Sequence, residues 1–173
     1  PLVLLHGFTG CSENWLELLD QFASQHSVLL LDLPGHGRTD SPLDPKRYAM
    51  ELVASDLINI FDAMQFRFVN LLGYSMGGRL ALYLAVRYGE VLKSLTVESA
   101  SPGLETREKR RQRKASDNKL ADEIEAIGVS KFIQKWQQLP LFATQKNLSP
   151  QQIKSLRLQR LRNSEVGLAN SLR

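Results

Sequence analysis

The sequence has little of what staples or anchors a chain. Among 173 residues there is one cysteine, Cys11, so no internal disulfide can form, which fits a reducing compartment. No apolar run approaches the ~20 residues that cross a bilayer, and no cleavable signal pattern is visible. Histidine is scarce: His6, His26 and His36 are all there is, and none follows residue 36. No cysteine or carboxylate spacing accompanies them, so no metal site is expected. There is no internal repeat and no low-complexity linker. The chain opens inside an apolar run, PLVLL, and stops at NSLR in what reads as an unfinished helix, so we expect a fragment truncated at both ends.

What is present reads as an ordinary globular protein, 43% hydrophobic and 23% charged. The net charge of +4 is unevenly placed, because residues 107–114, REKRRQRK, hold six basic groups against one acid. Such a run is most simply a solvated helix face. No aromatic residue interleaves it, and no zinc, helix-turn-helix or RNA-motif spacing accompanies it, so a nucleic-acid partner is not expected. A site for an anionic small molecule is the other reading.

Four apolar runs predict buried strands: Leu2–Leu5, Val28–Leu31, Phe68–Leu72 and Leu92–Val97. Between them Val53, Leu57, Ile60, Phe61 and Met64 recur on one face of a helix, and a second helix follows Ser75 through Leu80 and Leu84. Alternating buried strands and helices predict an α/β fold, a mostly parallel sheet with helices on both faces and its site at the carboxyl ends of the strands. From Ser101 the texture turns helical, over about Leu104–Ile127, Ser130–Gln137 and Pro150–Leu161, punctuated by Gly128 and Pro140. We expect residues 1–100 to be a partial core and 101–173 a helical lid or cap inserted on it.

Gly73-Tyr74-Ser75-Met76-Gly77 fits G-x-S-x-G, the nucleophile elbow of the α/β-hydrolase fold, in which glycines leave room for a sharp strand-to-helix turn. The plain alternative is a tight turn after a strand; the strand before and helix after favour the elbow. In that layout the loop Leu5-His6-Gly7-Phe8 supplies one oxyanion donor, the Phe8 N–H, beside the Met76 N–H. His6 is expected to orient this loop. Asp32-Leu33-Pro34-Gly35-His36-Gly37 is expected to be a structural corner. Arg79, four residues after Ser75, rises one helical turn above it and can face the same space; its guanidinium would fork onto a carboxylate.

LHGFTG, Trp15, DLPGHG, GYSMGGRLAL, ESASPGL, Arg113 four residues before Asp117, Trp136 with Pro140-Leu141-Phe142, and Gln159-Arg160 followed by LANSLR occur together. This combination resembles the 2-succinyl-6-hydroxy-2,4-cyclohexadiene-1-carboxylate synthase family of menaquinone and phylloquinone biosynthesis, which has the α/β-hydrolase fold. The first motifs are shared by many such hydrolases, whereas ESASPGL, the Arg113–Asp117 spacing, the Trp136–Phe142 stretch and the final SLR discriminate. The resemblance implies a carbon–oxygen lyase that eliminates pyruvate from a small polycarboxylate, without cofactor or metal. It implies Ser75 as a base activated by histidine and aspartate, Phe8 and Met76 as oxyanion donors, and Tyr74 beside them. It further implies Arg79, Arg113 and Arg160 on the carboxylates, Trp136 and Phe142 as an aromatic wall, and a cytoplasmic or plastid-stromal setting. Spacing alone does not separate Arg113 from Arg110 or Arg111, and Trp136 and Phe142 read equally well as lid packing.

The chain order in this fold is serine, acid, histidine, yet no histidine follows Ser75. Glu98, at the end of the fourth strand run, is the one acid in a suitable place, and an acid without histidine leaves a serine unactivated. These residues alone are therefore expected to be inactive. The alternatives are a carboxylester or carbon–carbon hydrolase on the same fold, and a non-catalytic binding protein.

Overall fold

A strand buried on both faces has no room for polar side chains, and β1 (Leu2–Leu5), LVLL, has none. The computed structural model describes all of Pro1–Arg173. In it β1 lies at the centre of a four-stranded parallel sheet with β2 (Val28–Leu31), β3 (Val69–Tyr74) and β4 (Leu92–Glu98), in the order β2-β1-β3-β4. On one face Val3, Leu5 and Leu71 pack against α2 (Met50–Ala63) and α3 (Met76–Arg87). On the other, Leu2 and Leu4 meet Trp15 and Phe22, from a tight 3-10 turn (Ser12–Leu18) and the short α1 (Leu19–Ala23). Both faces of the central strands are thus covered, as the alternation of strands and helices predicts.

Three expectations need adjustment. The third strand runs Val69–Tyr74 rather than Phe68–Leu72, because pairing with β1 and β4 continues through Gly73 and with β4 to Tyr74. Two of the four runs are not buried strands. β2 is half-buried at every position, and in β4 only Leu92 and Leu95 are even partly covered. Both are edges of the sheet. In β4 the register skips Lys93, pairing Val69 with Leu92 but Asn70 with Ser94, so the two leucines turn to the same core face. On α2 the buried face is Val53, Ala54, Leu57 and Phe61, while Met64 sits at the helix end and is exposed.

Beyond Ser101 there is no strand. α4 (Arg107–Trp136) begins at Arg107 rather than Leu104 because the Thr106 hydroxyl accepts from Lys109 N–H at 3.1 Å. Gly128, at φ 78°, breaks it into two arms, and Lys135 Nζ reaches back to Glu123 Oε1 at 2.6 Å. α5 (Pro150–Leu161) starts with a capping box of Ser149 and Gln152. α6 (Glu165–Asn170), capped by Ser164, has too short a pattern to be foreseen. A small second core gathers Ile124, Phe132, Ile133 and Leu168. Polar contacts join the halves: Ser164 Oγ to Ser41 Oγ at 2.7 Å, and Asn170 Nδ2 to the Pro42 and Leu43 carbonyls at 3.2 Å each. The basic run is a solvated face in which Lys109, Arg111 and Arg113 pair with Glu105, Glu108 and Asp117. No helix is long and apolar enough to cross a membrane.

Candidate active site

The strand β3 ends at Tyr74 and α3 begins at Met76, leaving Ser75 to turn the chain with φ 52° and ψ −111°. Such a backbone costs about 1–3 kcal/mol for a non-glycine residue and persists only where its surroundings hold it. Here Ser75 N–H donates to the Glu98 carbonyl at 2.9 Å and Gly77 N–H to the His6 carbonyl at 3.1 Å, so β4 and the end of β1 clamp both sides of the turn. A Cβ on Gly77 would stand 2.5 Å from the Leu5 carbonyl oxygen, which is why this position takes glycine. The Gly7 loop lies directly against Ser75, since a Cβ built on Gly7 would come 3.1 Å from the serine Cβ. The N–H groups of Phe8 and Met76, next to these two contacts, donate to no atom of the chain.

Ser75 opens into a cavity of about 790 Å³ that Phe8, Met76, Arg79, Arg113 and Trp136 also line. About half of its lining is hydrophobic, and the rest is polar or charged. Arg79 is exposed into this space and has no carboxylate within ion-pair distance. Arg113 Nε lies 2.7 Å from both carboxylate oxygens of Asp117, and the pair lines the cavity together. Arg110 and Arg111 do not line it; Arg110 is turned onto the Leu104 and Glu105 carbonyls and Arg111 onto Glu108. Geometry therefore separates three arginines that spacing does not.

Two further cations of this cavity have no role assigned by the sequence, although one of them, Arg173, ends the discriminating SLR. Lys46, on a 3-10 turn (Pro45–Tyr48), forms no ion pair. Arg173 is held by Asp122 at 3.0 Å and Glu125 at 2.6 Å, which raises its own pKa and lowers that of Glu125. Neither sits in a periodic pattern that would mark it.

Tyr74, Phe142 and Arg160 line a different, smaller cavity of about 260 Å³, and Phe8 is the wall common to both. The residues implied by the resemblance are thus divided between two spaces. The divider is aromatic, with Phe8 and Trp136 centroids 5.4 Å apart and Trp136 and Phe142 5.8 Å apart. Trp136 also stacks on Phe132 at 5.4 Å, so packing within residues 101–173 accounts for much of its environment. Its indole N–H is buried without a partner. Arg160 is buried, and burial lowers its pKa. Its polar contact is Gln145 Oε1 at 3.2 Å, and its guanidinium lies 4.9 Å over the Phe142 ring, with no carboxylate beside it.

No histidine lines the cavity that holds Ser75. His6 Nε2 accepts from Leu33 N–H at 3.0 Å and its Nδ1 faces the Gly7 carbonyl at 2.8 Å, so both nitrogens are occupied in the neutral ring and burial lowers its pKa. It orients the loop, as expected. His36 is buried too, with Nδ1 3.1 Å from the Pro34 carbonyl and Nε2 unpartnered; burial and the nearby His6 hold its pKa at about 3. His26 is exposed. The Asp32 corner is built around one carboxylate that accepts from the amides of Ser12 at 2.6 Å and Arg38 at 3.0 Å. Burial pushes that carboxyl up, but those bonds outweigh it and it titrates low. Glu98 meets Ser75 through its carbonyl and is among the residues that border the smaller cavity. No three His, Cys, Asp or Glu side chains gather as metal ligands would.

Comparison with known proteins places this geometry. The family described as alpha/beta hydrolase fold matches residues 1–164. The chain is 44% identical, over 171 residues, to a Bacillus subtilis (strain 168) protein provisionally described as a 2-succinyl-6-hydroxy-2,4-cyclohexadiene-1-carboxylate synthase, a match covering 99% of this chain and 62% of that one. It is 33% identical to the synthase of that name from Photorhabdus laumondii, covering 99% of this chain and 59% of the relative. The solved structure of MenH from S. aureus superposes with a TM-score of 0.93 at 34% identity, covering 99% of this chain and 64% of the other. The chain thus spans less than two thirds of the length of these relatives.

Proposed function

This chain belongs to the alpha/beta hydrolase fold family, and on that premise we propose that it supplies the elbow and lid of a carbon–oxygen lyase within a longer protein. The reaction converts 2-succinyl-5-enolpyruvyl-6-hydroxy-3-cyclohexene-1-carboxylate into 2-succinyl-6-hydroxy-2,4-cyclohexadiene-1-carboxylate and pyruvate, in menaquinone or phylloquinone biosynthesis. The observation that carries this reading is an elbow serine opening into a half-apolar cavity beside an unpaired arginine, Arg79. An ester substrate needs no such cation; a polycarboxylate does.

Ser75 takes the proton from the ring carbon that bears the succinyl group. The freed electron pair shifts the ring double bond, a second double bond forms, and the bond to the enolpyruvyl oxygen breaks. Enolpyruvate leaves and ketonises to pyruvate. Negative charge develops on the succinyl ketone oxygen as the proton departs, and the Phe8 and Met76 amides, which have no partner in the chain, receive it. Arg79 and Arg113 hold carboxylates in the cavity of Ser75, with Asp117 keeping Arg113 in place until substrate arrives. Tyr74, Phe142 and Arg160 form a neighbouring carboxylate pocket across the aromatic wall of Trp136 and Phe8. Residues 101–173 act as the lid, and the setting is the cytoplasm or the plastid stroma.

A serine is a feeble base without a histidine, and none faces Ser75 within these residues. Residues 1–173 by themselves are therefore inactive. Pyruvate release, followed with lactate dehydrogenase and NADH, tests both statements. The full-length protein should release pyruvate from the substrate, the Ser75→Ala variant should lose at least about a thousandfold in kcat, and residues 1–173 should release none. A full-length protein that leaves the substrate intact, or an isolated chain as active as the whole, would sink the reading.

A further inference from the structure

We propose that Asn163 is a positioning residue for the site, fixing the Phe8 amide and Arg160 together; the assignment rests on the function proposed above. Asn163 is buried and spends its whole amide on backbone, at two distant stretches and at the end of its own preceding helix. Its Nδ2 donates to the Thr9 carbonyl at 2.9 Å and to the Arg160 carbonyl at 3.0 Å, while its Oδ1 accepts from Gly37 N–H at 3.0 Å. Each stretch carries part of the site. Thr9 follows Phe8, whose N–H is free to bind an oxyanion, and Thr9 holds a left-handed backbone, φ 65°, that needs outside support. Arg160 is the buried cation of the smaller cavity. Gly37 follows His36, whose ring packs edge-on against Phe8 with centroids 5.9 Å apart.

The Thr9 carbonyl and the Gly37 amide have no other partner in the chain. Nothing local therefore replaces Asn163 if its amide changes. One side chain on the lid sets the distance between the oxyanion loop, which belongs to the sheet half, and an arginine of the lid. Asn163→Asp keeps the shape and the acceptor but cannot donate, so it severs the side-chain bonds to Thr9 and Arg160, while the backbone N–H of residue 163 still reaches the Arg160 carbonyl at 3.3 Å.

The test is steady-state kinetics of full-length wild type and N163D, with melting temperatures alongside, on the enolpyruvyl substrate and on p-nitrophenyl acetate. A displaced oxyanion donor acts on the transition state, so N163D should lose roughly ten- to a hundredfold in kcat on both substrates. A KM increase should appear only with the polycarboxylate, through Arg160. A folded N163D with wild-type kcat and KM overturns the proposal. If wild type turns over p-nitrophenyl acetate but releases no pyruvate, the lyase reading fails while the effect of N163D on kcat still decides this one. Should N163D not fold or wild type turn over neither substrate, amide exchange of the wild type decides. The Gly37 N–H should be protected and the Phe8 N–H should not; a rapidly exchanging Gly37 overturns the assignment.

Discussion

The two halves of the molecule are held together by different means. Residues 1–100 close around twelve buried apolar residues between sheet and helices, whereas residues 101–173 gather only four and rely on polar contacts from Asn163, Ser164 and Asn170 to the first half. The first half fixes a strained serine to within a hydrogen bond on each side. The second brings charge and aromatic surface to it on a lighter frame. Firm support of the turn serine and lighter support of the surface around it are thus divided along the chain.

The largest effect should come from the heavier core. Phe61→Ala removes a fully buried ring from α2 and should cost about 3–5 kcal/mol, read as loss of both near- and far-ultraviolet circular dichroism in one denaturant transition. Ile133→Ala, buried in the lid core, should instead expose residues 101–149 to protease while the sheet half keeps its own transition. A single shared transition for both variants would erase the distinction between the halves. Next in size, Arg79→Ala in the full-length protein should cost about 1–3 kcal/mol in kcat/KM, the penalty of leaving a carboxylate unpaired, with the melting temperature unchanged. Unaltered kinetics would remove Arg79 from the site.

A pH dependence should follow from the buried histidines. His36 binds a proton only near pH 3 when folded, against 6.5 for the free side chain, and His6 shifts in the same direction. Below pH 6.5 the unfolded chain takes up protons that the folded chain refuses, so stability falls as pH drops toward 3, by up to about 1.4 kcal/mol per pH unit for His36. Denaturant titrations at pH 7 and pH 5 should show this, and His36→Gln should flatten it. The smallest effect is expected at the surface, where Lys109→Ala breaks an exposed pair with Glu105 and should change stability by under about 1 kcal/mol.

Much of the frame is legible in the sequence because its causes are local. Apolar runs locate the strands, the recurrence of Val53, Leu57 and Phe61 marks α2, and two glycines flanking Ser75 mark a turn that only glycine fits. What stays hidden depends on distant neighbours. LKSLTVE looks like a buried strand until its edge position and the skip at Lys93 are known. The division of Ser75 and Arg160 between two cavities depends on how Phe8, Trp136 and Phe142 meet. Asn163 is invisible beforehand because its partners Thr9 and Gly37 lie 154 and 126 residues away along the chain, and no periodicity records such a contact.

One glycine sets how far residues 101–173 can reach. As an uninterrupted helix, α4 would hold Arg113 and Trp136 about 34 Å apart, at 1.5 Å for each residue between them. They border the same cavity, which the break at Gly128 allows by ending the straight run of the helix. A residue with a side chain there would press the two arms toward one straight rod. Arg113 and Trp136 could then no longer border one cavity, although neither had been altered.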